Sequence, residues 1–249
     1  MRRFFTPLFV LAAALMLVCT PARAIDPMLH SLPHLMTFRR QDLDIYRRVN
    51  RRFADNLVPL LRADDRIWVH DYHLMSLPGA LRVRGVRNPT GFFLHVPFPS
   101  PDSAAVAPGI RSLVQDVLHA DLLGFQTAMD RDNFASCATG FAGARRTGDA
   151  VMEVEGREIR LGVFPAEIAA REFAATAAVQ AKSEAARLLA RSIQDQALLL
   201  GIDRLDPTKG LPERLDAFAR LLARRPSRGM VMLQVAAPSR EDVLAYRRL

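Results

Sequence analysis

Apolar residues at Leu43, Tyr46, Val49, Phe53, Leu57 and Leu60 recur at steps of three and four. This spacing lays one stripe along a helix and predicts an amphipathic helix over residues 40–62. Ala63-Asp-Asp65 ends it. The pattern then alternates between strand and helix. Residues 66–70 are predicted as strand, 73–84 as helix and 91–96 as strand, with Gly85 and Asn88-Pro89 as breakers between them. Residues 109–119 are predicted as helix, 121–125 as a short buried strand and 127–138 as helix. Strand-helix-strand-helix-strand is the order of a parallel, doubly wound sheet, so the fold class is α/β.

Val151 to Leu161 alternates with period two around Gly156, which predicts a hairpin or paired edge strands, and Val163-Phe-Pro165 reads as the last strand of this first unit. Residues 168–194 are rich in Ala, Arg and Glu, contain no Gly or Pro, and are predicted helical. A second unit opens with an apolar strand at 197–202. A helix with Pro212 near its first turn follows, where a missing N–H costs nothing, and then a second strand at 230–235. The boundary between units falls near residues 165–195, giving a division into 25–175 and 176–249.

Composition narrows the picture. A chain of 249 residues that is 50% hydrophobic can bury a sizeable core, which excludes general disorder. The formal charge of +8 is almost wholly arginine, since Lys182 and Lys209 are the only lysines. The basic residues are scattered without interleaved aromatics or a nucleic-acid motif, so nucleic acid is not an expected partner. Arg47, Arg48, Arg51 and Arg52 fall at helical spacing and read as a solvated face.

Residues 1–24 stand apart. Arg2-Arg3, an apolar stretch from Phe4 to Cys19, and an Ala-Arg-Ala24 ending have the layout of an export signal, and the only membrane association expected is through this segment. With it removed, Cys137 is the sole cysteine and no internal disulfide can form.

The candidate chemistry lies where strands end. Ile67-Trp-Val-His-Asp-Tyr-His-Leu74 and Gly91-Phe-Phe-Leu-His-Val-Pro-Phe-Pro99 each run apolar and then turn polar or Pro-rich, as buried parallel strands do when they deliver side chains to a crevice at their carboxyl ends. Asp71 is placed to accept hydrogen bonds from sugar hydroxyls. His70 and His73, with Asp71 between them, could be metal ligands but lack a third at convincing spacing. The alternative is that both histidines are buried, hydrogen-bonded residues positioning the turn. His95, held extended by Pro97 two residues on, either points into a cleft or is a satisfied core group. At Arg204 and Lys209 two cations sit between a strand end and a helix start, which suits a phosphate. The spacing equally allows Arg204 to pair with Asp203 or Asp206 and Lys209 to be a surface lysine.

These segments, together with Tyr46 to Asn50, Arg84-Gly-Val86, Asp121 to Thr127, Asp203 to Arg214 and Ala236 to Arg240, resemble the trehalose-6-phosphate synthase family. Its members are retaining glycosyltransferases of the GT-B fold with two Rossmann-like domains. The resemblance runs from about Leu29 onward. It implies metal-free transfer of glucose from UDP-glucose to glucose 6-phosphate and no cofactor. It implies that Asp71 holds acceptor hydroxyls, that Arg240 holds the acceptor phosphate, that His95 and Val96 line the junction of the two sugars, and that Arg204 and Lys209 grip the UDP diphosphate.

The family's glycine-rich opening segment and the aromatics upstream of Leu29 have no counterpart here, its Pro-Ile-Gly turn reads Pro165-Ala-Glu167, and the second unit holds only two strands. Both domains are therefore expected to be incomplete, with 25–175 on the acceptor side and 176–249 opening the donor side. An inactive sugar-phosphate-binding remnant and a synthase using glycerol 3-phosphate are the alternatives. The family is expected in the cytoplasm, where UDP-glucose is found, whereas the first 24 residues point to export.

Overall fold

The structure is a computed structural model that describes Leu29 and residues 40–194, 196–206, 209–224 and 229–238. Residues 1–24 and Arg240 lie outside the described residues. The chain divides into two compact units, the first ending at Ala166 and the second beginning at Glu167.

The first unit opens with α1, Arg40–Leu57, and a 3-10 turn at Val58–Leu60. Then come β1 (Ile67–His70), a 3-10 turn at Tyr72–Leu74, α2 (Leu77–Val83), β2 (Thr90–Phe93), α3 (Pro101–Ala105), α4 (Ile110–Val117), β3 (Leu122–Phe125) and α5 (Ala128–Ala142). Three strands close it: β4 (Arg145–Gly148), β5 (Val151–Val154) and β6 (Arg157–Val163). They form one sheet in the order β1-β2-β3-β6-β5-β4. The first three pairings are parallel, and β6–β5 and β5–β4 are antiparallel.

The expected helix over residues 40–62 buries Tyr46, Asn50 and Ala54, one turn apart on a single face. The core joins that face to Val69, Phe92 and Leu123 of the sheet and to Leu113, Val117 and Phe134 of the covering helices. Each such side chain contributes about 1.5–3 kcal/mol by leaving water.

Several elements differ from the expectation. β2 ends at Phe93 rather than residue 96, because the His95 amide turns away from the ladder to the Asp71 carboxylate. The expected separate strand at 163–165 does not form. β6 runs unbroken from the hairpin, with β5 antiparallel on one side and β3 parallel on the other. Glu155 and Gly156 both take positive φ, 51° and 74°, which is the turn that lets those strands twist together. The short α3 and the edge strand β4 were not anticipated. Ser100 caps α3 through its hydroxyl, with Pro101 at the first helical position.

The second unit has α6 (Ala170–Gln180), α7 (Glu184–Ile193), β7 (Ala197–Arg204), α8 (Leu211–Arg224) and β8 (Met230–Ala237). The single helix expected over 168–194 is two, because the Ser183 hydroxyl accepts the Ala186 N–H and starts a new helix. β7 and β8 pair in parallel from Ala197↔Met230 to Arg204↔Ala237, around the α8 crossover. Among the described residues no helix is long and apolar enough to cross a membrane.

Candidate functional site

In the first unit the site is built on the carboxyl ends of β1 and β2. His70 is the last residue of β1 and stands in register with Phe93, the last of β2. Beyond them the two chains are tied twice. The Asp71 N–H donates to the Phe93 carbonyl at 2.7 Å, and the His95 N–H donates to Asp71 Oδ1 at 3.3 Å.

Asp71 has φ 71° and ψ 165°, a backbone region open to glycine and strained for any residue with a Cβ. Such strain costs about 1–3 kcal/mol and persists only where neighbours over-determine it. Here they do. The Leu74 N–H donates to the Asp71 carbonyl at 3.0 Å, and the turn after Asp71 is fixed by Tyr46 of α1. The Tyr46 hydroxyl donates to the Tyr72 carbonyl at 2.6 Å and accepts from the Met75 N–H at 2.8 Å, and Asn50 Nδ2 donates to the His73 carbonyl at 3.2 Å. Burial drives the Tyr46 phenol well above its ordinary pKa, so it stays a neutral hydroxyl.

His70 and His95 are both exposed at this edge, with His70 Nδ1 and His95 Nε2 2.9 Å apart and their rings stacked at 5.1 Å. This corrects the buried reading of His70 and places His95 outside the core. Partial burial, and then the neighbouring His95, lower the His70 pKa below its ordinary value, while Asp71 works against the shift. His73 is half-buried, its Nδ1 3.7 Å from Asp71 Oδ2. Val96, next along the chain, is half-buried and packs against the core. Among the described residues no group of three or more His, Cys, Asp and Glu side chains could hold a metal ion.

In the second unit Arg204 ends β7 and Lys209 stands two residues before α8. Arg204 Nη2 pairs with Asp206 Oδ2 at 2.9 Å. Asp206 is buried, whereas the guanidinium side chain is 53% exposed and keeps donors turned to solvent. The pairing weighed from spacing therefore forms, with Asp206 rather than Asp203. Asp203 takes Arg214 instead, at 2.6 Å. Lys209 is exposed, and its N–H donates to the Asp206 carbonyl at 3.0 Å. Gly210, at φ 63°, then turns the chain into α8.

Arg214 was not singled out from the sequence. It also donates to Gln234 Oε1 at 2.9 Å and to the Lys209 carbonyl at 3.5 Å, so it braces the segment that carries both cations. The signal lay in Gly201, because a Cβ there would collide with Gln234 and Arg214. A largely apolar cavity of about 330 Å³, lined by Leu199, Leu200, Arg214, Phe218 and Met232, lies on the β7–β8 and α8 side of this unit.

The sequence profile of glycosyltransferase family 20 matches residues 20–249. The trehalose-6-phosphate synthase of Sinorhizobium fredii is 37% identical over 229 residues, which are 91% of this chain and 49% of that protein. A trehalose-phosphate synthase of Burkholderia xenovorans, solved in complex with glucose-6-phosphate, is 38% identical with a TM-score of 0.79, covering 91% of this chain and 51% of that one. An Escherichia coli structure bound with UDP-2-fluoro glucose is 36% identical with a TM-score of 0.79, over 91% of this chain and 50% of its own. The chain thus spans about half the length of the relatives it matches, and its mixed α/β architecture, dominated by a parallel sheet, follows theirs over the shared part. With strand-end side chains, parallel order and profile in agreement over almost its whole length, this chain belongs to glycosyltransferase family 20.

Proposed function

We propose that this chain carries the central part of a UDP-forming trehalose-6-phosphate synthase. Glucose moves from UDP-glucose to the C1 hydroxyl of glucose 6-phosphate. The bond between glucose C1 and the diphosphate oxygen breaks, a C1–O bond to the acceptor forms on the same face, and the acceptor proton leaves with the phosphate.

The observation that carries this reading is Asp71, an aspartate held in a glycine-only conformation at a strand end, with its carboxylate beside His95. Strain of this kind gathers where a side chain must be aimed. Asp71 accepts from acceptor hydroxyls, His95 and Val96 line the meeting point of the sugars, and Arg240 holds the acceptor phosphate. Arg204 and Lys209 receive the diphosphate, where negative charge develops as it departs. The relatives' ligands support both substrates, since one related structure holds glucose-6-phosphate and another UDP-2-fluoro glucose. The division of labour follows the units, the one ending at Ala166 serving the acceptor and the one beginning at Glu167 the donor. Residues 1–24 have the layout of an export signal while the family is expected in the cytoplasm, and a reporter fused after Ala24 decides between the two.

The deciding experiment is UDP release by the purified chain with UDP-glucose and glucose 6-phosphate. Turnover that Arg204→Ala or Lys209→Ala each lowers by about 10²–10³ in kcat, the usual cost of losing one donor to a developing charge, would establish the transfer. UDP binding without turnover would instead establish the inactive remnant. Turnover with glycerol 3-phosphate alone would reassign the acceptor.

A further inference from the structure

Period two along the first two strands places Trp68 and His70 of β1 on the same face as Gly91, Phe93 and His95 of β2 and its extension, since Trp68 is in register with Gly91 and His70 with Phe93. Gly91 leaves room for the indole, because a Cβ there would sit 3.1 Å from Trp68 Cε3. The aromatic rings form a cage. Trp68 and His70 are 5.8 Å apart, Phe93 and His70 6.3 Å, and Phe93 meets His95 edge-on at 4.7 Å. The His95 backbone is held separately, by its N–H to Asp71. Within the cage lies one short polar contact, His70 Nδ1 to His95 Nε2 at 2.9 Å.

Two neutral imidazoles that share one such contact have only two arrangements. Either His70 Nδ1–H donates to His95 Nε2, and both rings carry their proton on Nδ1, or His95 Nε2–H donates to His70 Nδ1, and both carry it on Nε2. In either case the tautomers are coupled, and the nitrogen left to His95 is Nδ1.

Resting on the transfer reaction proposed above, we propose that His70 is the positioning residue of His95: their single hydrogen bond couples both rings to one common tautomer, so that whether His95 meets a sugar hydroxyl as donor or as acceptor is set jointly with His70. The titratable groups around the pair are Asp71, which bonds the His95 amide, and His73 on the far oxygen of Asp71. Partial burial and the neighbouring His95 disfavour a charged His70.

The test is a long-range ¹H–¹⁵N spectrum of the full chain, labelled at histidine, at pH 8. The His70 and His95 rings should each show one tautomer, and the same one. In His70→Phe, which keeps the ring packing and removes the nitrogen, His95 should move to averaged shifts of two tautomers. His70→Asn, with an amide near the Nδ1 position, should restore a single tautomer. Averaged His95 shifts in the unchanged protein, or His95 shifts identical in His70→Phe, would overturn the proposal. In the UDP-release assay His70→Phe should lower kcat about tenfold with KM for both substrates near its original value. Absence of turnover in the unchanged chain would count against the transfer reaction, and the spectrum would still decide the pairing.

Discussion

Asp71 shows what a single residue contributes and what it costs. Its φ of 71° and ψ of 165° would suit glycine, yet an aspartate stands there, and its carboxylate bonds the backbone of His95. Asp71→Gly removes both the strain and the carboxylate, while Asp71→Ala keeps the strain and loses only the carboxylate. We expect Asp71→Gly to be at least as stable as the original in urea denaturation, and Asp71→Ala to be less stable by about 1 kcal/mol, the usual net worth of one hydrogen bond. Both should lose acceptor affinity.

His70 makes a second prediction at this scale. Its pKa is lowered in the folded state, so between that value and the ordinary 6.5 the unfolded chain binds more protons. Its contribution to stability is therefore complete above pH 6.5 and declines as pH falls through the folded value. Asp71, His73 and His95 lie beside it at the same strand ends. The comparison that isolates His70 is the unfolding midpoint from pH 5 to 7.5 in the original and in His70→Phe, where a shallower slope in the variant is expected. The sequence placed Asp71 and His95 at strand ends because an apolar run broke there. The tie between His70 and His95 was hidden, because it depends on parallel register across two strands separated by a helix.

Secondary-structure elements are joined here by a few buried polar side chains. Tyr46 of α1 both donates to and accepts from the 71–75 turn, through Tyr72 and Met75. Tyr46→Phe would remove both of these bonds from the buried turn, a loss of about 1–3 kcal/mol. Because the same turn holds Asp71, the expected signature is a drop in urea midpoint together with a raised KM for the acceptor. A packing variant such as Leu113→Ala should lower the midpoint without that KM change.

Elements with strong periodicity were readable. α1 followed its stripe at steps of three and four, and the β5–β6 hairpin followed its alternation around Gly156. What escaped depended on competition or on short caps. β6 could not be seen as one strand because two partners claim it from opposite sides. The break between α6 and α7 rests on the one hydroxyl of Ser183, in a stretch whose composition favours continuous helix. α3 is five residues long and carries no period, only its Ser100-Pro101 start.

At the scale of the molecule the two units differ in how much they bury. In the first, β2 and β3 are flanked by strands on both sides, and Phe92, Leu123 and Phe125 are buried. In the second, β7 and β8 form a two-stranded sheet in which Leu200 is 58% and Ile202 68% exposed, and Gly201 is the only buried residue of β7. Three or more strands with a covered face are normally needed for independent stability, so the second unit should open first. Two probes can follow the units separately. Amide hydrogen exchange reads β7 and β8 directly. For the first unit the reporter is Cys137 in α5, fully buried with its thiol pushed up to about 11 by burial, so it reacts only when that core opens. In a Cys19→Ser background at low urea, β7 and β8 amides should exchange at least tenfold faster than those of β2 and β3, while Cys137 remains unreactive toward a thiol reagent. UDP should slow exchange at β7 and in the segment carrying Arg204 and Lys209, since a ligand that binds only the folded form stabilises it by mass action. Equal exchange in both sheets would mean that the exposed apolar face of β7 is supported in solution. Exchange unchanged by UDP would remove the phosphate role from Arg204 and Lys209 and leave Arg204 as the partner of Asp206.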